Sequence, residues 1–311
     1  MVARPSHAHD VSVSDLLRPP TTSATVRATA TGTGTPAGRY RLALDTDASD
    51  VHAAQRLRHD VFLAEFGSTP DGAGADICRS GRDVDEFDDR CDHLIVWFDT
   101  DHGPSQAVAT YRLLPPHAND ADPRATGLYA HGEFGLAPLE SLLDETVEAG
   151  RSCVHPDHRR GGAIALLWGG IARYLHLTGH RYLLGCASVP LADGAGNAAA
   201  VWDLVRDNHL APPWRRCRPR RILPLGGTPR PARADIPPLI RGYLRLGAWV
   251  CGPPAHDDAL GSADFLVLLD LAVADQRYLR RFLGGEAVLQ TWDGTAGGRG
   301  GLEIAAGRDG R

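Results

Sequence analysis

Apolar residues recur along this chain with a period that switches several times between two and 3.6, which predicts alternating strands and helices. RYRLAL (39–44) alternates as a short strand does. A polar stretch with Ser49 as candidate N-cap leads into a helix, where Val51, Ala54, Leu57, Val61 and Phe62 recur at helical spacing. Arg58, Phe62 and Glu65 lie near one another on one side of that helix. The Gly- and Asp-rich segment 67–84 predicts a long loop. HLIVWF (93–98) predicts a buried strand and QAVATYRLL (106–114) its hairpin partner. A short helix is expected over 136–146, then a strand EAGRSCV (148–154), then an amphipathic helix over 162–178 marked by Ile164, Leu167, Trp168, Ile171, Tyr174 and Leu175. RYLLGCAS (181–188) predicts a strand and NAAAVWDLVRDNHL (197–210) a helix. A Pro/Arg-rich stretch at 211–238 interrupts the pattern. LIRGYLRLGAWV (239–250) predicts a helix, FLVLLDLAV (265–273) a hydrophobic strand, and a short Arg-rich helix closes the fold.

Residues 1–38 and 285–311 are rich in small and polar residues and lack helical periodicity, so both are expected to be disordered tails around one folded domain, 39–284. An apolar fraction of 43% is enough for a sizeable core. The net charge of −5 argues against a general nucleic-acid binder. All 33 Lys+Arg positions are Arg, which excludes Schiff-base catalysis and a lysine-type phosphate loop. Cysteines at 78, 91, 153, 186, 217 and 251 form no Cys-x-x-Cys pair. With no targeting segment apparent, they read as reduced thiols of a cytoplasmic protein. No apolar run approaches the roughly 20 residues that span a membrane, so any membrane contact is expected to be peripheral, at the inner face.

Two segments carry chemistry. In SCVHPDHRRGGAIALLW (152–168) a strand runs into Arg159, Arg160, Gly161 and Gly162 and then a helix. Free N–H groups at a helix start, flanking glycines and two arginines suit the phosphate of coenzyme A or phosphopantetheine; a plain Gly-rich turn is the alternative. In DVDEFDDRCDHLIV (83–96) six carboxylates precede a buried strand. They suit a solvated acidic loop or a pocket for a cationic amino acid held in place by Arg partners. A calcium loop fits poorly, because the Gly and terminal Glu are missing, and no metal is expected.

The 152–168 segment resembles the acyl-donor loop of the GNAT acyltransferases, with Val154, Pro156, Arg160 and Gly162 on the motif. Ile164 stands where that family has Gly or Ala. It crowds the place of the coenzyme A pyrophosphate and points to acyl carrier protein as donor. Arg58, Phe62, Asp83, Asp85, Asp88, Arg112, Glu148 and Arg151 fall in the order seen in acyl-homoserine-lactone synthases. Together with VATYRLL (108–114) and PPLIRGYLRLGAWVCGPPAHD (237–257), they are most similar to the ornithine–acyl-carrier-protein N-acyltransferases and their hemolysin-like relatives.

That resemblance implies a GNAT-like α/β (α+β) fold, with a mixed, mostly antiparallel sheet flanked by helices and a C-terminal extension. It implies transfer of a (3-hydroxy)fatty acyl group from the phosphopantetheine thioester of acyl carrier protein to the α-amine of L-ornithine, the first step of ornithine-lipid synthesis, with no bound cofactor. Glu148, then Asp85, are the bases it suggests, with Arg151 beside them. His93 is a further candidate base, although a His opening a strand is more often structural. Arg58, Phe62, Asp83, Asp88 and Arg112 would shape the acceptor site, and Val154, Arg159, Arg160, Gly161 and Gly162 the donor site. The 83–92 carboxylates would hold the ornithine side chain. Glu148 and Arg151 face opposite sides of a regular strand, so a bulge or separate roles are required. Leu167, Trp168 and 239–250 are candidates for an acyl groove or simply for core. The Arg215–Arg221 run, like Arg159 and Arg160, suits an acidic carrier protein, an anionic membrane or plain solvent. Alternatives are another amine N-acyltransferase, a lactone-type synthase, or a non-catalytic carrier- or lipid-binding module.

Overall fold

The structure is a computed structural model that describes residues 25–28, 38–45, 47–66, 81–100, 103–116, 127–160, 162–192 and 194–275. Gly161, Cys78, the closing Arg-rich helix and the segment 285–311 lie outside the described residues.

Among the described residues a nine-stranded sheet forms the body, in the order β1 (Thr25–Ala28), β2 (Gly38–Leu44), β3 (Asp92–Asp99), β4 (Gln106–Leu114), β6 (Thr146–Val154), β7 (Tyr182–Pro190), β11 (Ser262–Asp270) and β10 (Ala255–Asp257), with β9 (Trp249–Val250) also on β11. β5 (Phe134–Gly135) pairs separately with β8 (Arg218–Pro219). Every strand-to-strand pairing among these is antiparallel except β6 with β7. The fold is thus the mixed, mostly antiparallel sheet with flanking helices that the resemblance implies, built from the alternating strands and helices that the period changes predict.

The differences from expectation lie at element ends. β1 occupies part of the stretch expected to be a tail, pairing with β2 from Thr25↔Arg41 to Ala28↔Gly38. Asp47, not Ser49, caps the first helix, α1 (Ala48–Phe66): its carboxylate accepts the N–H groups of Ser49 and Asp50 at 2.8 and 3.2 Å. The helix expected over 136–146 is a 3-10 helix, Ala137–Glu145, that follows the single turn α2 (Ala130–Glu133). The helix expected over 239–250 stops at Arg245 (α5, Pro238–Arg245), because Gly247 takes a φ of 88° that reverses the chain into β9. α3 (Ala163–Thr178) and α4 (Gly196–Asn208) lie close to their expected bounds.

Burial divides the sheet into two faces. On one, Leu94, Val96, Tyr111, Leu113, Val147, Ala149, Leu183 and Phe265 join Leu167, Trp168, Ile171 and Leu175 of α3 in the main core. On the other, Leu114, Leu184, Leu266 and Leu268 pack with Leu128, Phe134, Leu139 and Leu142. Fully burying each such side chain contributes about 1.5–3 kcal/mol, so both layers hold the central strands firmly. Among the described residues no helix is long and apolar enough to cross a membrane.

Candidate active site

The site is built where two strands part. β6 and β7 pair only over Thr146↔Tyr182, Val147↔Leu183 and Glu148↔Leu184. Beyond Glu148, β6 stays with β4 while β7 stays with β11. Gly185 sits at the apex of this wedge, where a Cβ would come within 2.5 Å of the Ala149 carbonyl oxygen, so only glycine permits the approach. Alternate backbone amides of 149–154 that face β7 lose their ladder partners and are available to a ligand.

A cavity of about 490 Å³ opens through this wedge, and its two sides differ in chemistry. Tyr111, Ala149, Ile164, Leu167, Trp168, Ile171, Pro237, Pro238 and Leu239 make one side apolar. Phe62, Arg112, Tyr129, Glu148, Arg151, Cys186, Ser188 and Asp264 line the other. Leu167, Trp168 and Leu239 therefore serve as core and as cavity wall at once.

The Glu148/Arg151 conflict is resolved by a bulge. Thr110 pairs with Cys153 and Arg112 with Gly150, so Arg151 and Ser152 together oppose Tyr111. Arg151 takes a φ of 50°, the sole positive φ among described non-glycine residues. The extra residue resets the alternation. Arg151 thereby reaches Asp83 and Asp85, and Ser152 bonds the Tyr111 hydroxyl.

Arg151 joins a closed ring of charges. Asp83 pairs with Arg58 and Arg151, Asp85 with Arg151 and Arg112, and Asp88 with Arg112 and Arg58. Arg58 is 0% exposed and also donates to the Asp83 carbonyl, while Gln55 Nε2 donates to Asp88 at 3.1 Å. Three aspartates and three arginines balance, which corrects the expectation that these carboxylates hold the acceptor's cation. Arg58, Asp83, Asp85 and Asp88 stand behind the cavity wall, and of the expected acceptor residues Phe62 and Arg112 line it. Arg112 and Arg151 also hold the Asp85 carboxyl below its ordinary range against the opposing effect of burial. That makes Asp85 a weak base. His93 is fully buried behind the ring, its Nε2 3.2 Å from the Asp88 carbonyl oxygen, and it does not line the cavity. Burial lowers its proton affinity.

Glu148 is different. It is 4% exposed, lines the cavity, and accepts the N–H groups of Tyr129 and Ala130 at 2.6 and 2.8 Å. Burial raises its pKa to about 7, against the lowering effect of those two hydrogen bonds. Each oxygen keeps a lone pair for a ligand.

On the donor side, Val154, Arg159 and Ile164 line the cavity and Gly162 precedes the first turn of α3. Arg159 Nε donates to the Val154 carbonyl at 3.1 Å, and its guanidinium pairs with Glu65. Arg160 is exposed beside it. In the Arg215–Arg221 run, Arg215 reaches Pro138 and Ser141, Arg216 the Ala211 carbonyl, Arg220 the His131 carbonyl and Arg221 Asp258. Four of these five arginines thus fasten the C-terminal segment. His158 is a structural residue, its Nδ1 3.0 Å from the Tyr40 hydroxyl. Burial pushes the Cys153 and Cys186 thiols well up, so neither is poised as a nucleophile.

The sequence reading missed Tyr129, Ser188 and Asp264. Asp264 carried a signal: it is a carboxylate set inside the mainly apolar strand SADFLVLLD, whose other carboxylate, Asp270, closes the strand, and strand prediction beginning at Phe265 passed over it.

The chain is similar to known proteins. The family model described as "Acetyltransferase (GNAT) domain" matches residues 57–169. An L-ornithine N(alpha)-acyltransferase of Rhodobacter capsulatus is 34% identical over 259 residues, covering 79% of this chain and 96% of the relative. One of Rhizobium meliloti is 33% identical over 255 residues, covering 78% and 84%. Among solved structures, the AHL synthase LasI superposes with a TM-score of 0.45 at 13% identity, covering 81% of this chain and 99% of that one. With identity at this level across nearly the full length of its relatives, the chain belongs to the L-ornithine N(alpha)-acyltransferase family.

Proposed function

We propose that this acyltransferase moves a 3-hydroxyfatty acyl group from acyl carrier protein to the α-amine of L-ornithine, producing the lyso-lipid from which ornithine lipid is made. The observation that carries this reading is the two-sided cavity in the β6/β7 wedge, in a chain of this family. Its apolar side suits an acyl chain, and its polar side suits an amino acid.

The thioester arm lies along the freed edge of β6, with the acyl chain between α3 and Leu239. Arg151, exposed to the cavity and already fixed by two aspartates, faces the acceptor carboxylate. Glu148 takes a proton from the α-ammonium. The nitrogen lone pair then forms a bond to the carbonyl carbon, backbone N–H groups of 149–154 stabilise the oxyanion, and the C–S bond breaks. The pantetheine sulfur leaves with a proton and the amide remains. Ile164 lines the cavity at the start of α3, where the resembling donor loops have Gly or Ala, and its added bulk supports a carrier protein over coenzyme A as donor.

Purified protein given 3-hydroxyacyl carrier protein and a panel of amines is expected to yield N-acylornithine, read by mass spectrometry. Acylation of glycine or a polyamine but not ornithine overturns the acceptor. Arg160 stands at the donor end, so Arg160→Glu is expected to raise KM for the acidic carrier roughly fivefold, corresponding to about 1 kcal/mol. KM for ornithine should stay unchanged, and added salt should shrink the difference. An unchanged KM for carrier removes Arg160 from docking.

A further inference from the structure

Ornithine, the acceptor proposed above, carries a second ammonium at the end of its side chain, and inside a cavity that cation needs an anionic partner. Among the described residues three carboxylates line the cavity: Glu65, Glu148 and Asp264. Glu65 is paired with Arg159. Both Glu148 oxygens hold backbone N–H groups, and this carboxylate serves the α-amine. Asp264 is 2% exposed and has no ion pair among the described residues. Its partners are two hydroxyls: Ser262 Oγ at 2.9 Å, and Ser188, its register neighbour on β7.

The surroundings of Asp264 add negative charge. Tyr129 donates its hydroxyl to Asp257 at 3.4 Å, and Asp257 also accepts the N–H groups of Ala259 and Leu260. Burial, and to a smaller extent Asp257, raises Asp264 to about 6, against the lowering effects of the Ser188 and Ser262 hydrogen bonds and, least, of Arg151. Burial, then Asp257 and Asp264, raises Glu133 to about 7, against Arg221. An ammonium arriving here would relieve three crowded carboxylates at once.

Position fits the length of the substrate. Glu148 pairs with Leu184, and Leu184, Cys186 and Ser188 share one face of β7. The rows of Glu148 and Asp264 are four residues apart along that strand, about 13 Å, and two strand spacings apart across the sheet, about 10 Å, which places the two backbone positions about 16 Å apart. A five-carbon diamino acid with a hydrogen bond at each end bridges such a gap once both acidic side chains reach inward. Cys186 lies between the rows, and the charges of Asp264, Glu148, Glu133 and Asp257 all act on it.

We propose that Asp264, hydrogen-bonded by Ser188, anchors the side-chain ammonium of the acceptor, with Asp257 and Glu133 supplying the negative field behind it. It thereby sets the preference for a diamino acid. This anchor rests on the ornithine reading above.

The test compares ornithine with 2-aminopentanoate, which has the same carbon chain without the second amine. Asp264→Asn is expected to lower the ratio of their kcat/KM values on the order of 10- to 100-fold, through KM for ornithine. KM for the carrier should not move. Asp264→Glu keeps the charge but extends it by one methylene. It should shift preference toward 2,4-diaminobutyrate, a gain that general damage to the fold does not produce, and it carries the test if the Asn variant fails to fold. A parent enzyme that does not acylate ornithine overturns the acceptor and the anchor together. A parent that does, beside variants with the parent's selectivity, overturns the anchor alone.

Discussion

Glu148→Gln is expected to lower kcat by about 10²- to 10⁴-fold, the range for losing a positioned proton acceptor. The two side chains are nearly the same size, so the cavity keeps its shape. Gln accepts only through its carbonyl oxygen, so one of the two N–H groups now held at Tyr129 and Ala130 loses its acceptor. That loss costs about 1–3 kcal/mol of stability, which a thermal melt reads separately from turnover. Since Glu148 titrates near 7, parental kcat/KM should fall as pH drops below that value. Stability should move the opposite way. The folded-state pKa lies above the ordinary glutamate value of 4.5, so the fold binds the proton more tightly than the unfolded chain does. That contribution is fully present below 4.5 and is lost as pH rises through about 7. It amounts to about 3 kcal/mol, which the Gln variant should not show. A variant with parental turnover removes Glu148 from proton transfer.

The strands at the centre of the sheet were legible because they are buried on both faces: QAVATYRLL matches β4 residue for residue, and HLIVWF lies within β3. Element ends were less so. Asp47 rather than Ser49 caps α1, a choice between neighbouring residues that both suit the role. α5 and β9 share one apolar run, divided only by the turn at Gly247. Thr25–Ala28 gains its strand from pairing with β2, which no local pattern announces.

The site was legible as a set of residue types but not as an arrangement. The acidic run at 83–88 and the distant Arg58, Arg112 and Arg151 stand out in the sequence, yet their mutual neutralisation needs α1, β4 and β6 to converge. A single inserted residue decides where Arg151 points, and the composition of β6 gives no sign of it. Asp264 stands out in the sequence as a carboxylate in an apolar strand, but its place at the wedge follows only from β11 lying beside β7. Charge that seemed available to substrate is consumed by the scaffold, while a carboxylate hidden in an apolar strand is the one left over.

Arg58→Met is expected to destabilise the fold by about 3–5 kcal/mol, the cost of breaking a buried ion pair by removing one partner. Arg58 Nε lies 2.8 Å from Asp83, Nη2 lies 2.8 Å from Asp88, and the side chain is fully buried. Without it each aspartate keeps one arginine, and the ring opens. A loss of that size is a large share of the roughly 5–15 kcal/mol that holds a domain together, so poor soluble yield should accompany it. Arg58→Lys should recover little, because one compact ammonium cannot span two carboxylates and a carbonyl as the planar guanidinium does. Arg41→Ala is the comparison. Arg41 meets Asp99 at 3.6 Å with both side chains about one-third exposed, and its loss should cost no more than about 1 kcal/mol. Urea unfolding of the three variants beside the parent measures all of this. If Arg58→Met unfolds at the parental midpoint, the ring contributes nothing to stability, and its aspartates are free to serve the substrate after all.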